Sequence, residues 1–165
     1  MSSSVKAESA RPNFQQGLAR VKAGLELQRS RILAWTEAAP QRVPGLMDLR
    51  GTPSQDLDYY VYELARLQDL TRAVLRVFDE PEPIKIALAA FDSQIPDLRT
   101  IRNQLTHIDG RSRLVNVMWF DSIVELGPNG TVKYLVDPRY RHHDAAIALA
   151  AALQDFLEAP AKPES

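Results

Sequence analysis

Apolar side chains recur along most of this chain at the spacing of an α-helix. A long first segment begins near Asn13, a favourable cap, and repeats an apolar residue every three, four or seven positions. A second segment opens with Thr-Pro-Ser-Gln at 52–55, which has the cap, early proline and glutamine of a capping box. The spacing predicts two long amphipathic helices. Their inward positions are Phe14, Leu18, Val21, Leu25, Ile32 and Trp35, followed by Leu57, Tyr60, Val61, Leu64, Leu67, Thr71, Val74, Leu75 and Phe78.

Three further helices are predicted in the second half of the chain. The segment 79–83, Asp-Glu-Pro-Glu-Pro, ends the second helix because proline cannot continue the helical hydrogen-bond ladder. A short third helix follows over about 84–91, and a fourth runs over about 96–108. The last helix begins with an Asp-Pro pair and covers about 137–157.

One segment departs from the helical spacing. Residues 115–126 are rich in β-branched and aromatic side chains, which favour a strand. Gly-Pro-Asn-Gly at 127–130 is typical of a turn, and 131–136 resumes the strand pattern. The sequence therefore predicts a β-hairpin over about 115–136.

These elements predict a mainly α fold, an up-and-down helical bundle of about five helices with one β-hairpin inserted before the last helix. A chain of 165 residues is enough for one compact domain, which we assign to 13–158. The flanks 1–12 and 159–165 are rich in Ser, Ala, Pro, Glu and Lys, and we expect both to be flexible tails. The loop at 38–51 carries apolar residues and is expected to pack over the core.

Composition excludes several kinds of site. The chain has no cysteine, which rules out disulfides, thiol catalysis and cysteine-ligated zinc or iron–sulfur centres. Its formal net charge of -1 means that any nucleic-acid contact is local or is built by pairing subunits. The polar first residues lack the apolar core of a secretory signal, and no apolar run is long enough to span a membrane. We therefore expect a cytoplasmic protein with no membrane contact, no cofactor and no metal.

A single stretch of the fourth helix carries a chemical constellation. Arg102 is followed directly by Asn103, and His107 lies at the end of the same helix. Histidine transfers protons near neutral pH, and the planar arginine fork binds phosphate. Metal-free RNA cleavage needs a base for the ribose 2′-OH, a cation for the phosphate and an acid for the departing 5′ oxygen. The motif therefore favours chemistry on RNA or nucleotides, with Asn103 orienting the histidine or the substrate.

Helix geometry makes this motif asymmetric. At about 100° per residue, Asn103 and His107 lie about 40° apart, on the face opposite the apolar stripe. Arg102 flanks that stripe and lies about 140° from His107. The arginine therefore needs reach, a helix distortion or a second subunit to join the other two residues. The stripe consists of Leu98, Ile101, Leu105 and Ile108.

The pattern Arg102-Asn103-x-x-x-His107 resembles the Arg-polar-x(3–5)-His motif of HEPN domains. These are all-helical nucleotide- and RNA-associated domains of bacterial toxin–antitoxin and defence systems. The resemblance implies a four- to five-helix bundle and a homodimer whose two motifs form one composite site. Active members are metal-independent endoribonucleases, so it implies that Arg102 and His107 are catalytic and Asn103 is the polar helper. The resemblance covers the motif and the helical order, and the hairpin departs from the family pattern.

A weaker phosphate or RNA contact is predicted at the start of the last helix. Arg139, Arg141 and His142 lie in or before its first turn, where exposed backbone amides favour anions. Arg99 adds a further cation on the fourth helix. His142 and His143 diverge by about 100° on a helix, so the pair does not readily share a metal.

The sequence leaves three functions open. The leading one is a HEPN-like protein that acts on RNA as a homodimer, as a metal-independent endoribonuclease with an antitoxin partner. The second is the same fold as a non-catalytic nucleotide-binding or protein-interaction module, and the third is a bundle of unrelated purpose that assembles through its hairpin. Each motif residue also has a purely structural alternative. His107 can interact with the last helix carbonyls, Arg102 can pair with Asp109, and Asn103 can be merely exposed.

Overall fold

Helices make up most of the chain that the computed structural model describes, which is residues 3–38, 54–106, 116–119, 122–126 and 131–159. The prediction of a mainly α fold, with five helices and a hairpin before the last helix, is confirmed for these residues. No helix within them is both long enough and apolar enough to cross a membrane. The elements in chain order are α1 (Ser3–Ala38), α2 (Ser54–Val77), α3 (Glu82–Gln94), α4 (Leu98–Thr106), β1 (Asn116–Trp119), β2 (Ser122–Leu126), β3 (Val132–Val136) and α5 (Arg141–Glu158).

The two longest helices, α1 and α2, pack against each other in antiparallel directions. Gly17 of α1 faces Leu70, whereas Gly24, later in α1, faces Glu63, earlier in α2. A Cβ atom at Gly24 would lie 2.7 Å from Glu63 Cδ, so the missing side chain lets the helices approach closely here. The two glycines weaken the helix in isolation but serve its packing.

Helix α1 begins earlier than the predicted start near Asn13. It begins at Ser3, and its early part contacts the end of α5. The Arg11 guanidinium donates to the backbone carbonyl of Phe156 at 2.7 Å and lies 5.0 Å from the ring centroid of Phe78. A hydrogen bond and a cation–π contact thus fix a segment whose composition alone is typical of a frayed end.

The turn between α2 and α3 follows the predicted break. Asp79 and Glu80 adopt left-handed backbone angles, with φ of 54° and 52°. The Glu80 N–H donates to the Leu75 carbonyl at 2.8 Å, which forms a Schellman-type cap at the end of α2. Pro81, with φ of -56°, then caps the start of α3. The proline-rich segment therefore ends one helix and starts the next without a long connection.

The hairpin is confirmed as β2 and β3, and β1 extends it to a three-stranded antiparallel sheet in the order β1-β2-β3. Ile123 pairs with Val136, but Val124 pairs with Tyr134, so the register skips one residue of β3. This bulge leaves Leu135 and Val136 both buried, although neighbours on a regular strand point to opposite faces. It accounts for the two consecutive apolar residues, Leu135 and Val136, in the predicted strand over 131–136.

A single apolar core joins the sheet and all five helices. Its arrangement puts α3 against α5 and the short α4 against α2. Arg102 lies where α4 meets α2, next to Asp69 of α2. The largest fully buried side chains are Tyr60, Phe91, Leu25, Ile32, Leu57, Leu64, Leu67, Ile84, Ile95, Leu98, Ile101 and Ile123.

Several sequence predictions lie outside the described residues. They concern His107, the apolar loop up to residue 51, the turn at 127–130 and the tail after Ala159. The Thr-Pro pair that opens the capping box at 52–55 lies outside them as well.

Candidate functional site

Helix α4 carries two of the three motif residues and rests on α2 through the predicted apolar stripe. Leu98 and Ile101 are buried, and Leu105 is partly buried against the same core. The stripe fixes one side of the helix and leaves the opposite side in solvent. Asn103 is exposed on that side, as its position on the helix predicts.

Arg102 lies at the border between the buried stripe and the solvent. Its Nη1 atom lies 3.5 Å from Asp69 Oδ2 of α2, and its Nη2 atom donates to Asn103 Oδ1 at 3.4 Å. The Asp69 side chain is 62% exposed, so this ion pair contributes at most about 1 kcal/mol. A phosphate can therefore compete with Asp69 for the guanidinium. The predicted alternative partner, Asp109, lies outside the described residues.

A groove of about 190 Å³ opens between α2 and α4 beside Arg102. We call it the α2/α4 groove. Val61 and Leu105 form its apolar base, and they belong to the packed border between the two helices. Its full lining is Asp58, Tyr59, Val61, Tyr62, Arg102 and Leu105.

Asp58 is the unusual residue of this groove. Its Oδ1 atom is buried and has no hydrogen-bond partner among the described residues. Burial raises the pKa of the Asp58 carboxyl above its usual range, because the charged form loses solvation. An unpaired buried carboxylate is costly, and a ligand that donated hydrogen bonds to it would recover part of that cost.

Three neighbouring tyrosines of α2 divide between the core and this groove. Tyr60 is fully buried, which confirms the prediction that it belongs to the core seam. Tyr59 and Tyr62 are 61% and 50% exposed and line the groove. Helix spacing accounts for the division, because residues three apart share a face and the residue between them does not. Exposed tyrosines are stacking surfaces for planar ligands.

Sequence reasoning missed Asp58. The available signal was its spacing, since Asp58 and Tyr62 lie four apart on α2 and therefore on one face of the helix. That spacing does not reveal that one carboxyl oxygen of Asp58 is buried, because burial depends on tertiary packing.

A second group of polar side chains lies where α5 begins, and we call it the α5 cluster: Glu26, Arg29, Tyr60, Asp137, His142 and His143. His142 is buried, and its Nδ1 atom accepts the Asp137 backbone N–H at 2.7 Å. A hydrogen bond with the Gln94 backbone raises its pKa, against the effect of burial. These contacts hold the turn before α5 near the end of α3. The phosphate contact expected of His142 from the sequence stays a prediction.

His143 faces a different set of partners. Its Nδ1 atom lies 3.1 Å from the Tyr60 hydroxyl, and its Nε2 atom lies 3.8 Å from Glu26 Oε2. Burial raises the pKa of Tyr60 far above its ordinary value, so the phenol keeps its proton. We assign the phenol as the donor to Nδ1, which leaves the ring proton on Nε2 facing Glu26. The two histidines thus diverge, and no group of three metal-ligating side chains occurs in the described ranges.

The pKa values of both histidines are lowered, with burial as the largest cause. For His142 the charge of Arg141 adds to the lowering, and Asp137 opposes it. For His143 the charge of Arg29 adds to the lowering, and Glu26 opposes it. The neutral forms are therefore favoured, as their hydrogen bonds require.

The predicted arginines near α5 also have internal contacts. Arg141 Nε donates to Gln94 Oε1, and Arg139 Nε lies 3.9 Å from Asp137 Oδ1. Arg99 is exposed on α4, a different helix. The structure therefore places these residues on separate elements, with Arg139 and Arg141 paired inside the chain.

Another groove, of about 310 Å³, lies between α1 and α5, but its polar side chains are paired. Lys22 Nζ donates to Gln154 Oε1 at 2.6 Å, and Gln15 Nε2 donates to the Leu157 carbonyl at 2.8 Å. These bonds join the two helices across the groove. The α2/α4 groove, with its unpartnered carboxyl oxygen, is the stronger candidate for a ligand site.

Comparisons with known proteins were made for the sequence and for the fold. No family model, no curated protein and no solved structure matches this chain.

Proposed function

We propose that this protein acts on RNA at the face formed by α4 and the neighbouring part of α2. The observation that carries the proposal is the position of Arg102. Its guanidinium lies at the surface, between exposed Asn103 and a groove with two exposed tyrosines. A cation for phosphate beside aromatic rings for bases is the combination that single-stranded RNA requires.

The proposed reaction is metal-independent cleavage of the RNA backbone, as the resemblance to HEPN domains implies. The 2′ oxygen attacks phosphorus, the bond from phosphorus to the 5′ oxygen breaks, and a 2′,3′-cyclic phosphate forms. His107 takes the 2′-OH proton or donates a proton to the departing 5′ oxygen. Arg102 stabilises the charge on the phosphate, and Asn103 orients the histidine or the substrate.

The proposal includes a homodimer in which two motifs share one cleft. An ideal helix separates Arg102 from His107 by about 140°. In such a dimer, Arg102 of each subunit would lie beside His107 of the other subunit. The proposed partners are therefore a second copy of the chain, RNA and an antitoxin.

The test is incubation of end-labelled single-stranded RNA with the protein in EDTA. We expect cleavage products with 2′,3′-cyclic phosphate ends and at least a 100-fold loss of rate in His107→Ala and in Arg102→Ala, the scale of one lost proton-transfer or charge-stabilising group. Arg66→Ala is the matched control, because Arg66 is an exposed arginine of α2 paired with Glu63. Equal rates for the wild type and both motif variants, or no cleavage by any of them, would overturn the nuclease proposal.

One observation favours a second candidate, a nucleotide-binding module without catalysis. Arg102 already has an acidic partner in Asp69, at 3.5 Å, so the cation is used within the chain when no ligand is bound. This candidate predicts RNA or nucleotide binding that falls in Arg102→Ala, with no cleavage to lose. Gel-shift titration beside the cleavage assay distinguishes the two functions.

A further inference from the structure

We propose that the turn before α5, residues 137–140, is an acid-sensitive latch that opens when His142 gains a proton. The turn joins β3 directly to α5. It is closed while the imidazole is neutral, and it opens at low pH before the helices unfold. The latch is independent of the proposed action on RNA, because it depends only on contacts within the chain.

The hydrogen bond that closes the turn requires a neutral imidazole. His142 is buried, and its Nδ1 atom accepts the Asp137 backbone N–H at 2.7 Å. A ring nitrogen accepts a hydrogen bond only when it carries no proton, and a charged imidazole has two donors and no acceptor. Protonation of Nδ1 would place two hydrogens between two nitrogens only 2.7 Å apart. The bond from Asp137 must therefore break.

The side chain of Asp137 offers the charged ring a different partner. In the closed turn, Asp137 Oδ1 accepts the Arg139 backbone N–H at 2.9 Å and lies 3.9 Å from Arg139 Nε. The Asp137 charge favours protonation of His142, whereas burial and the charge of Arg141 oppose it. An imidazolium that donates to this carboxylate forms a charge-assisted bond and draws Oδ1 away from the Arg139 N–H. One proton thus changes two hydrogen bonds of the turn.

The other groups around the turn keep their charge state as pH falls. Arg29 of α1 donates to the carbonyls of Pro138 and Arg139, each at 3.0 Å, and arginine stays charged. On the α3 side the neighbour is Gln94, whose backbone contacts the ring and whose side chain is neutral. On α5 the neighbour is Arg141, in a first turn whose helix dipole also disfavours a positive ring. The proton therefore opens the end of the turn next to β3, while Arg29 still holds the end next to α5.

His143 provides the contrast, because its protonation breaks no backbone hydrogen bond. Its Nδ1 partner is the Tyr60 hydroxyl, at 3.1 Å. A hydroxyl can rotate and accept from a charged ring, whereas a backbone N–H can only donate. The Nε2 atom of His143 lies 3.8 Å from Glu26 Oε2, and this carboxylate can pair with an imidazolium. A latch controlled by acid is therefore assigned to His142 and not to its neighbour.

The test is amide hydrogen exchange of the full chain, measured residue by residue by NMR from pH 7.5 to 5.0 and corrected for the intrinsic rate at each pH. We expect the protection of the Asp137 amide to fall by about threefold or more, with a limit of about tenfold per pH unit for one proton. The amide of Leu64, in the buried part of α2, should lose less protection, because it exchanges only when the helices open. The His142 ring signals should titrate over the pH range in which the Asp137 amide loses protection.

Two variants make the test specific to one ring. His142→Asn places an amide oxygen near the position of Nδ1 and does not titrate. It should therefore keep the Asp137 amide protected and remove the pH dependence. His143→Asn is the matched control, a buried histidine of the same helix, and the pH dependence in this variant should stay within about twofold of the wild type. Circular dichroism and thermal unfolding check that each variant folds.

Three results would overturn the latch. The first is protection of the Asp137 amide that falls only in proportion to that of Leu64, because the opening is then global unfolding. The second is a pH dependence that disappears in His143→Asn and persists in His142→Asn. The third is a His142 ring that titrates in the wild type with no change at the Asp137 amide. This third measurement needs no variant, so it decides the question even if His142→Asn does not fold.

Discussion

The α2/α4 groove and the α5 cluster hold similar kinds of side chain but differ in how the polar atoms are satisfied. In the α5 cluster, the Nδ1 atoms of His142 and His143 both have hydrogen-bond partners within the chain. In the groove, Asp58 Oδ1 is buried without a described partner, and two tyrosines are exposed. Polar and titratable side chains are thus structural where the fold supplies their hydrogen-bond partners. Where the fold supplies no partner, they remain candidates for ligand binding.

The comparison predicts that substitutions in the α5 cluster lower the free energy of unfolding. Substitutions on the exposed face of α4 should leave it nearly unchanged. His142→Ala removes a buried ring and leaves the Asp137 N–H and the Gln94 carbonyl unpaired. We expect a loss of about 2–4 kcal/mol in the free energy of unfolding, from the cavity and the unpaired groups together. Chemical denaturation monitored by circular dichroism measures the loss.

Asn103→Ala is the matched control for that measurement, because Asn103 is an exposed polar residue of α4. Its expected effect on stability is within about 0.5 kcal/mol. His142→Asn keeps an acceptor near the position of Nδ1, and we expect it to recover part of the loss. A loss below about 1 kcal/mol in His142→Ala would show that the α5 cluster is not structural, and the contrast with the groove would disappear.

Two arginines sharpen the same comparison. The Arg29 guanidinium donates to the carbonyls of Pro138 and Arg139, each at 3.0 Å, and joins α1 to the turn before α5. Arg29→Ala should therefore lower the free energy of unfolding by about 1.5–3 kcal/mol, the scale of hydrogen bonds from a charged donor. Arg102→Ala loses an exposed ion pair with Asp69 and an exposed hydrogen bond to Asn103, and we expect a change of at most about 1 kcal/mol. Equal losses in the two variants would contradict the division between structural and ligand-binding arginines.

The fold could be predicted where the signal is local. Apolar spacing gives the helices, and the proline-rich segment at 79–83 gives the break between α2 and α3. The start of α1 could not be predicted, because its anchor is the contact of Arg11 with Phe156 at the opposite end of the chain. The bulge in β3 has the same cause, since the core selects two consecutive apolar residues there.

The candidate site could be predicted only in part for the same reason. Spacing on α4 identifies Arg102 as a residue beside the buried stripe and Asn103 as exposed. It does not identify Asp69 as the partner of Arg102, nor the burial of Asp58 Oδ1, because both depend on tertiary packing. Likewise, the histidines of α5 look reactive in sequence, and only their tertiary partners show that they are structural.

Low pH should destabilise the fold through the two histidines of the α5 cluster. The folded-state pKa values of His142 and His143 are lowered, chiefly by burial, so the unfolded chain binds more protons between those values and the unfolded pKa near 6.5. Stability is therefore full above about pH 6.5 and falls as pH decreases through the folded pKa values, with a slope of at most about 1.4 kcal/mol per pH unit for each histidine. Denaturation midpoints between pH 7.5 and 4.5 measure the slope. His143→Gln should reduce it, and an unchanged slope would exclude His143 as a source.

Asp58 should make the stability depend on pH in the opposite direction and by a smaller amount. Burial raises the folded-state pKa of its carboxyl, so the folded chain holds the proton more tightly than the unfolded chain does. The charged form therefore destabilises the fold above the raised pKa, and this penalty disappears as pH falls through it. Asp58→Asn removes the charge, and at pH 7 we expect the free energy of unfolding to rise by about 0.5 kcal/mol or less, because solvent still screens much of the side chain. A variant that gains stability would show that the groove holds an unfavourable carboxylate. A variant that loses stability would show that the Asp58 carboxylate stabilises the fold, as the residues of the α5 cluster do.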